Sequence, residues 1–214
     1  SEMPDTPAVR LRDLGWASAL IVSADPARYG NYGVFTFSVQ LTTEGLAHRD
    51  DITAMLLGYL DMLREQGVDD RYAEEFGTSL ANRFRFLEKM DDFSYAHELT
   101  RAMQTYPAQY AIEAPYRFTG FDGEAVEAVL VQLVPERLHV WEIDQAQPVS
   151  ESLYFYEGQY AVEALAVPDA QVLKTQTADY QLALPAQNRL LPEQFERANT
   201  SSEPSQIINQ PGLS

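Results

Sequence analysis

The stretch "VFTFSVQL", residues 34–41, sets Phe35, Phe37, Val39 and Leu41 in alternation with Thr36, Ser38 and Gln40. Side chains on a strand point to opposite faces in turn, so this pattern predicts a strand with one face buried and one face wet. Just upstream, "ASALIVSA" (17–24) has the composition of a second strand, and "DPARYGNYG" (25–33) between them is rich in turn formers. Residues 17–41 are therefore expected to form two neighbouring antiparallel strands.

Outward from this hairpin the period changes to that of a helix. In "DDITAMLLGYLDMLREQG" (50–67), Ile52, Met55, Leu56, Tyr59, Leu60 and Leu63 share one stripe, with Asp50 or Asp51 as cap and Gly67 as stop. A second helix carries Tyr72, Phe76, Leu80 and Phe84. A third groups Tyr95, Leu99, Ala102, Met103 and Tyr106 and stops before Pro107. A fourth starts near Asp122, turns Val126, Val129, Leu130 and Leu133 inward and ends at Pro135. "LHVWEI" (138–143) reads as a further strand. One apolar face per helix requires packing on a neighbour or on the sheet. The expected class is α+β: a small antiparallel sheet against a layer of three to four helices, with an extended C-terminal arm. Residues 1–144 form the expected core, 145–198 the arm and 199–214 a linker. The aromatic-rich 144–165 shows no helical period, and Pro185, Pro192, Pro204 and Pro211 punctuate the tail.

Composition narrows the function. The chain has 214 residues, 32 acidic against 15 basic side chains and a net charge of −17. That field opposes nucleic acid and anionic lipid, which both demand a cationic footprint; it reads first as a well-solvated acidic surface and second as a wall that attracts cationic peptides. No apolar run is long enough to span a membrane. The absence of cysteine removes disulfides, thiol catalysis and thiolate-held zinc. No Gly-x-Ser-x-Gly elbow or Gly-rich phosphate loop occurs.

"SYAHELTRAMQ" (94–104) comes within one residue of the helical zinc motif His-Glu-x-x-His. Arg101 stands where the second histidine belongs, and a guanidinium has no lone pair to give a metal. Glu98 and Arg101 are expected instead as an exposed pair one turn apart. His48 and His139 belong to other elements, so no metal site and no catalytic residue is expected in this chain. Asp50-Asp51 and Asp69-Asp70 read as helix starts, because the spaced oxygen ligands of a calcium loop are missing. Trp16 and Trp141 are expected as buried anchors, and Phe84 and Phe86 as core around a snorkelling Arg85. Tyr156, Gly158 and Tyr160 are expected to fix a turn that lays the arm on the domain.

Gly15-Trp16 is followed in order by "SVQLTTEGLAHRDDI", "GYLDMLREQGV", "FRFLE", Tyr95, "AMQTYP", "LVPERLHVW", "YFYEGQY" and "LPAQNRLLPEQF". This succession resembles the second, non-catalytic domain of the pitrilysin/insulysin family of zinc peptidases, whose zinc motif is the inverted His-x-x-Glu-His. "SADPARYGNYGVF" and "GLAHRD" place it nearest the bacterial pitrilysin branch. "FRFLEKMDDF" departs from the family in lacking a proline often found there, and Pro135-Glu136-Arg137 in lacking a common asparagine.

The resemblance implies a fragment of a zinc-dependent endopeptidase, with the catalytic motif in a first domain upstream and the opening strand and helix of this second domain upstream as well. It implies zinc in the intact parent and none here. The implied partners are peptide substrates and the absent domains of the same polypeptide, and the implied location is periplasmic or secreted, with the cysteine-free composition compatible with the cytoplasm as well. It further implies a place in the wall of a substrate-enclosing chamber. The edge strand after the Gly-Trp turn, here Leu20, Ile21, Val22 and Ser23, would be a peptide-anchoring exosite. Insulysin-like members carry glycines where this chain has Val22 and Ser23. The alternative is a domain of an inactive relative that serves binding or assembly.

Overall fold

A computed structural model describes residues 2–28, 30–166, 169–192 and 195. The linker expected at 199–214 lies outside them. Contacts divide the chain into two units, Ser1–Tyr72 with Gly120–Gln187, and Ala73–Thr119 with Asn188–Ser214.

The first unit is built on the hairpin. Strand β1 (Ala17–Arg28) pairs antiparallel with β2 (Tyr32–Leu41), in register Leu20 to Val39, Val22 to Phe37 and Ala24 to Phe35. The register shifts between Ala17 and Ala19, a bulge that bends the strand root. Ahead of β1 stands helix α1 (Pro7–Asp13), where sequence reasoning saw no element; proline at its first position fits a site with no hydrogen bond to lose. Helix α2 (Arg49–Gln66) follows a short 3-10 turn. Leu11 of α1, Trp16, Ala17 and Ile52, Met55 and Leu56 of α2 form the core, covered by Leu20, Phe37, Val39 and Leu41 from the hairpin. The α+β class follows from this: one face of the ribbon and one stripe of α2 bury against each other, with α1 closing the same core.

Gly67 closes α2 with a positive φ that favours glycine, its N–H donating to the Leu63 carbonyl at 3.0 Å. The helix begins at Arg49, after His48, so Asp50 and Asp51 sit in the first turn and do not cap it. There they still complement the positive end of the helix.

One corner, between Gly15-Trp16 and Thr42–Gly45, explains the short motifs between these elements. Trp16 N–H donates to the Leu11 carbonyl at 2.9 Å, and Thr42 N–H donates to the Trp16 carbonyl at 3.0 Å. The Thr42 hydroxyl donates to the Gly15 carbonyl at 2.6 Å and accepts from Gly45 N–H at 3.0 Å. A Cβ on Gly45 would stand 1.8 Å from the Trp16 carbonyl oxygen, so no other residue fits that contact.

Helix α3 (Asp70–Arg85) opens after Asp69, whose carboxylate accepts from Arg71 N–H. Helix α4 (Asp92–Thr105) is capped by Asp91, which accepts from Ser94 N–H at 2.9 Å. Both helices stand where the period predicts them. Their stripes do not become core: Ala73 is the buried residue of α3, α4 has none, and Phe76, Phe84, Tyr95 and Met103 are exposed. Phe84 and Phe86 therefore correct the core expectation. In the second unit Phe84 lies beside Tyr116 at 5.7 Å, and Phe86 beside Phe195 at 4.8 Å with Arg85 over the Phe195 ring.

Helix α5 (Gly123–Leu130), capped by Asp122, is shorter than expected, and Val129 is exposed. Residues 138–143 are not a strand. Apolar alternation makes a strand only where a partner strand exists, and Trp141 and Ile143 are 87% and 99% exposed. Trp16 is buried as expected; Trp141 is not. A small hairpin, β3 (Glu151–Ser152) and β4 (Gln159–Tyr160), brings Tyr156, Gly158 and Tyr160 into one turn region, with Leu153 N–H on the Gly158 carbonyl at 3.0 Å.

Helix α6 (Ala170–Asp179) was not visible as a period in the sequence. Leu173, 2% exposed, enters a second cluster with Ala54 and Leu57 of α2. The chain then runs without regular structure along the same unit. Ala183 N–H donates to the Asp5 carbonyl at 2.8 Å, and the Tyr72 hydroxyl and Arg71 guanidinium both donate to the Pro185 carbonyl.

Candidate functional site

The residues singled out as an exosite, Leu20, Ile21, Val22 and Ser23, occupy the middle of β1. One side of the strand is taken by β2, at Val39, Ser38, Phe37 and Thr36. Among the described residues the sheet ends there, with the order β1-β2 and no third strand. In an antiparallel pair every second residue turns both backbone groups away from its partner. Two of the four residues thus present N–H and C=O to the open edge. Leu20 is half-buried against the core, whereas Ile21 and Val22 are 58% and 47% exposed. Val22 shares its face with Phe37 and Phe35, whose rings meet edge to face at 5.1 Å. The edge therefore offers hydrogen bonds along its length and apolar side chains flanking them, which suits an added strand.

The root of that edge is held by a polar and aromatic cluster. The His48 ring stacks on Trp16 at 4.2 Å, and its Nδ1 lies 2.9 Å from the Asp51 carboxylate. Tyr180 meets Trp16 edge-on at 6.0 Å, and burial, with Asp51 and Asp179 nearby, pushes its phenol upward. The Arg10 guanidinium donates to the Tyr180 carbonyl at 2.7 Å. This cluster ties α1, β1, α2 and the C-terminal stretch together. Sequence reasoning named Trp16 as an anchor but not His48, whose neighbours become close only through the Gly15–Thr42 corner.

The histidines are spread over separate elements: His48 at the start of α2, His97 on the exposed side of α4 and His139 in an irregular stretch. Among the described residues no group of three or more His, Asp or Glu side chains could hold a metal ion. Glu98 and Arg101 form no ion pair there, which corrects the pairing expected of them; both side chains lie open to solvent. No described helix is long and apolar enough to cross a membrane.

Comparison with known proteins gives a consistent result. Residues 84–214 match the family model described as the middle or third domain of peptidase M16. Protease 3 of Escherichia coli (strain K12) is 28% identical over 213 residues, covering 98% of this chain and 22% of the relative. Insulin-degrading enzyme of Homo sapiens is 29% identical over 199 residues, covering 91% of this chain and 19% of the relative. The chain thus spans about a fifth of the length of these relatives. A crystal structure of pitrilysin superposes with a TM-score of 0.85 at 28% identity, covering 99% of this chain and 23% of that one. The order of short motifs and the architecture agree, and the chain belongs to the peptidase M16 family.

Proposed function

We propose that this chain forms part of the substrate-enclosing wall of a zinc-dependent endopeptidase, and that the open edge of β1 anchors peptide there. The observation that carries the reading is the unpaired side of Leu20–Ser23, in a chain that belongs to a peptidase family. Backbone pairing gives affinity with little demand on sequence, as an enzyme that handles varied peptides needs. The donor set of the described residues does not fit a zinc centre, since its histidines stand on separate elements and no acidic cluster joins them. Metal binding and water activation would fall to another domain of the same polypeptide, and this chain would contribute binding alone. The division into a core (1–144), an arm (145–198) and a linker (199–214), and a periplasmic or secreted location, belong to the same proposal.

The test places proline at Ile21 and, separately, at Val22 in the intact peptidase. One position faces β2 and the other the open edge, so one variant loosens the hairpin while the other removes only an outward donor. The expected result is that the outward variant raises KM for long peptides severalfold and leaves kcat and the unfolding midpoint near wild type. Unchanged KM in both folded variants overturns the reading.

A further inference from the structure

A second feature of the chain is a groove of about 830 Å³ in the second unit, between α3 and the segment 113–118. Its size falls within the range of small-molecule sites, roughly 300–1,000 Å³, and leaves ample room for one long side chain. The floor is apolar: Ala81 and Phe84 come from α3, and Tyr116 and Phe118 from the opposite side. The rings are fixed by one another, Phe84 on Tyr116 and Phe118 edge-on to Phe76 at 6.4 Å, and Phe84 and Phe118 remain about two-fifths exposed. Half-open aromatic faces held in place form a ready platform for a planar or long-stemmed cation.

The charges along the groove decide the occupant. Glu74 lines it and makes no ion pair among the described residues, while Glu113 lines it with only a loose contact, 4.0 Å, to the exposed Arg117. Arg83 is drawn over the Tyr116 ring at 5.9 Å. Arg117 and Arg83 thus stand on the Glu113–Tyr116 side, and Glu74 on the α3 side is the carboxylate without an ion pair among the described residues, in a chain whose net charge is −17. An acidic ligand would meet repulsion at Glu74; a basic side chain would lay its stem on the rings and reach a carboxylate.

We infer that this groove binds an arginine or lysine side chain of a peptide, with the aliphatic stem on Phe84 and Tyr116 and the cation at Glu74 and Glu113. The inference extends the peptide-binding reading to a side-chain preference, yet the groove and the β1 edge use different residues and can fail separately.

The test uses the full chain and fluorescein-labelled peptides of the form Ala-Ala-X-Ala-Ala, with X as arginine, citrulline or glutamate, read by fluorescence anisotropy at low salt. Citrulline keeps the shape of arginine and loses its charge. Arginine is expected to bind about tenfold more tightly than citrulline, as a charge-assisted hydrogen bond at a partly open site gives. That preference should shrink as salt is raised. Glu74→Gln with Glu113→Gln should abolish it while leaving the circular dichroism spectrum unchanged, and Phe84→Ala should weaken arginine and citrulline peptides alike. Equal binding of the arginine and citrulline peptides, no binding of any peptide, or a preference that survives the double glutamine variant overturns the inference. A proline variant at the β1 edge that weakens all peptides equally speaks to the edge alone, and leaves the arginine preference as the groove's own readout.

Discussion

Replacing Gly45 by alanine is the sharpest perturbation of the Gly15–Thr42 corner. The added Cβ would stand 1.8 Å from the Trp16 carbonyl oxygen and 2.8 Å from its carbon, both backbone atoms that no rotamer change can move. The backbone must therefore part by more than an ångström. Two hydrogen bonds lie in its path, Gly45 N–H to the Thr42 hydroxyl and Thr42 N–H to the Trp16 carbonyl. Overpacking costs about 1–3 kcal/mol, and each bond lost adds about 1 kcal/mol. The expected loss is about 3–5 kcal/mol, a large share of the stability of an ordinary domain. Gly123→Ala is the control: its Cβ would make only an ordinary contact at 3.6 Å, in the first turn of α5. It should be neutral or slightly stabilising. Urea unfolding followed by tryptophan fluorescence reads both, because Trp16 is buried against His48 while Trp141 already faces water. A Gly45→Ala protein within about 0.5 kcal/mol of the Gly123→Ala control refutes the corner as described.

Other consequences are as direct. Leu173→Ala removes the buried side chain of α6 from between Ala54 and Leu57, and should cost about 2–4 kcal/mol by urea unfolding. Trp141→Phe should leave the unfolding midpoint unchanged within error and remove the exposed component of the emission. Burial, with Tyr72 next to it, pushes the Tyr59 phenol up to about 12. The folded chain then holds that proton longer than the unfolded chain does, so stability should fall as the pH rises from about 10 to about 12, with the Tyr59 phenol among those that titrate late at 295 nm. Asp91 moves the other way, held low by its hydrogen bonds from Ser94. Its contribution to capping α4 should persist above the usual carboxylate range and disappear as the pH falls through its lowered value, and Asp91→Asn should flatten that acid-side dependence of α4 helicity.

The parts of the fold that the amino-acid pattern made legible are those governed by local periodicity. The hairpin appears because Phe35, Phe37, Val39 and Leu41 alternate, and α2, α3 and α4 because their apolar residues recur each turn. Periodicity shows which face is apolar and not what covers it. Phe76, Phe84, Tyr95 and Trp141 were therefore assigned to a core in which they do not lie. Helix α6 escaped notice because one leucine, Leu173, anchors it amid Gln, Lys and Thr. The candidate edge was visible only through resemblance. Nothing local distinguishes Leu20–Ser23 from a strand paired on both sides, and its open side is a property of sheet order.

Amide hydrogen exchange of the chain, with and without a saturating extended peptide, addresses the binding edge most directly. The account predicts slowed exchange at the outward-facing amides among Leu20, Ile21, Val22 and Ser23, while those bonded to β2 stay as they were. Bound peptide that leaves all four amides unaltered, with protection elsewhere, would contradict it.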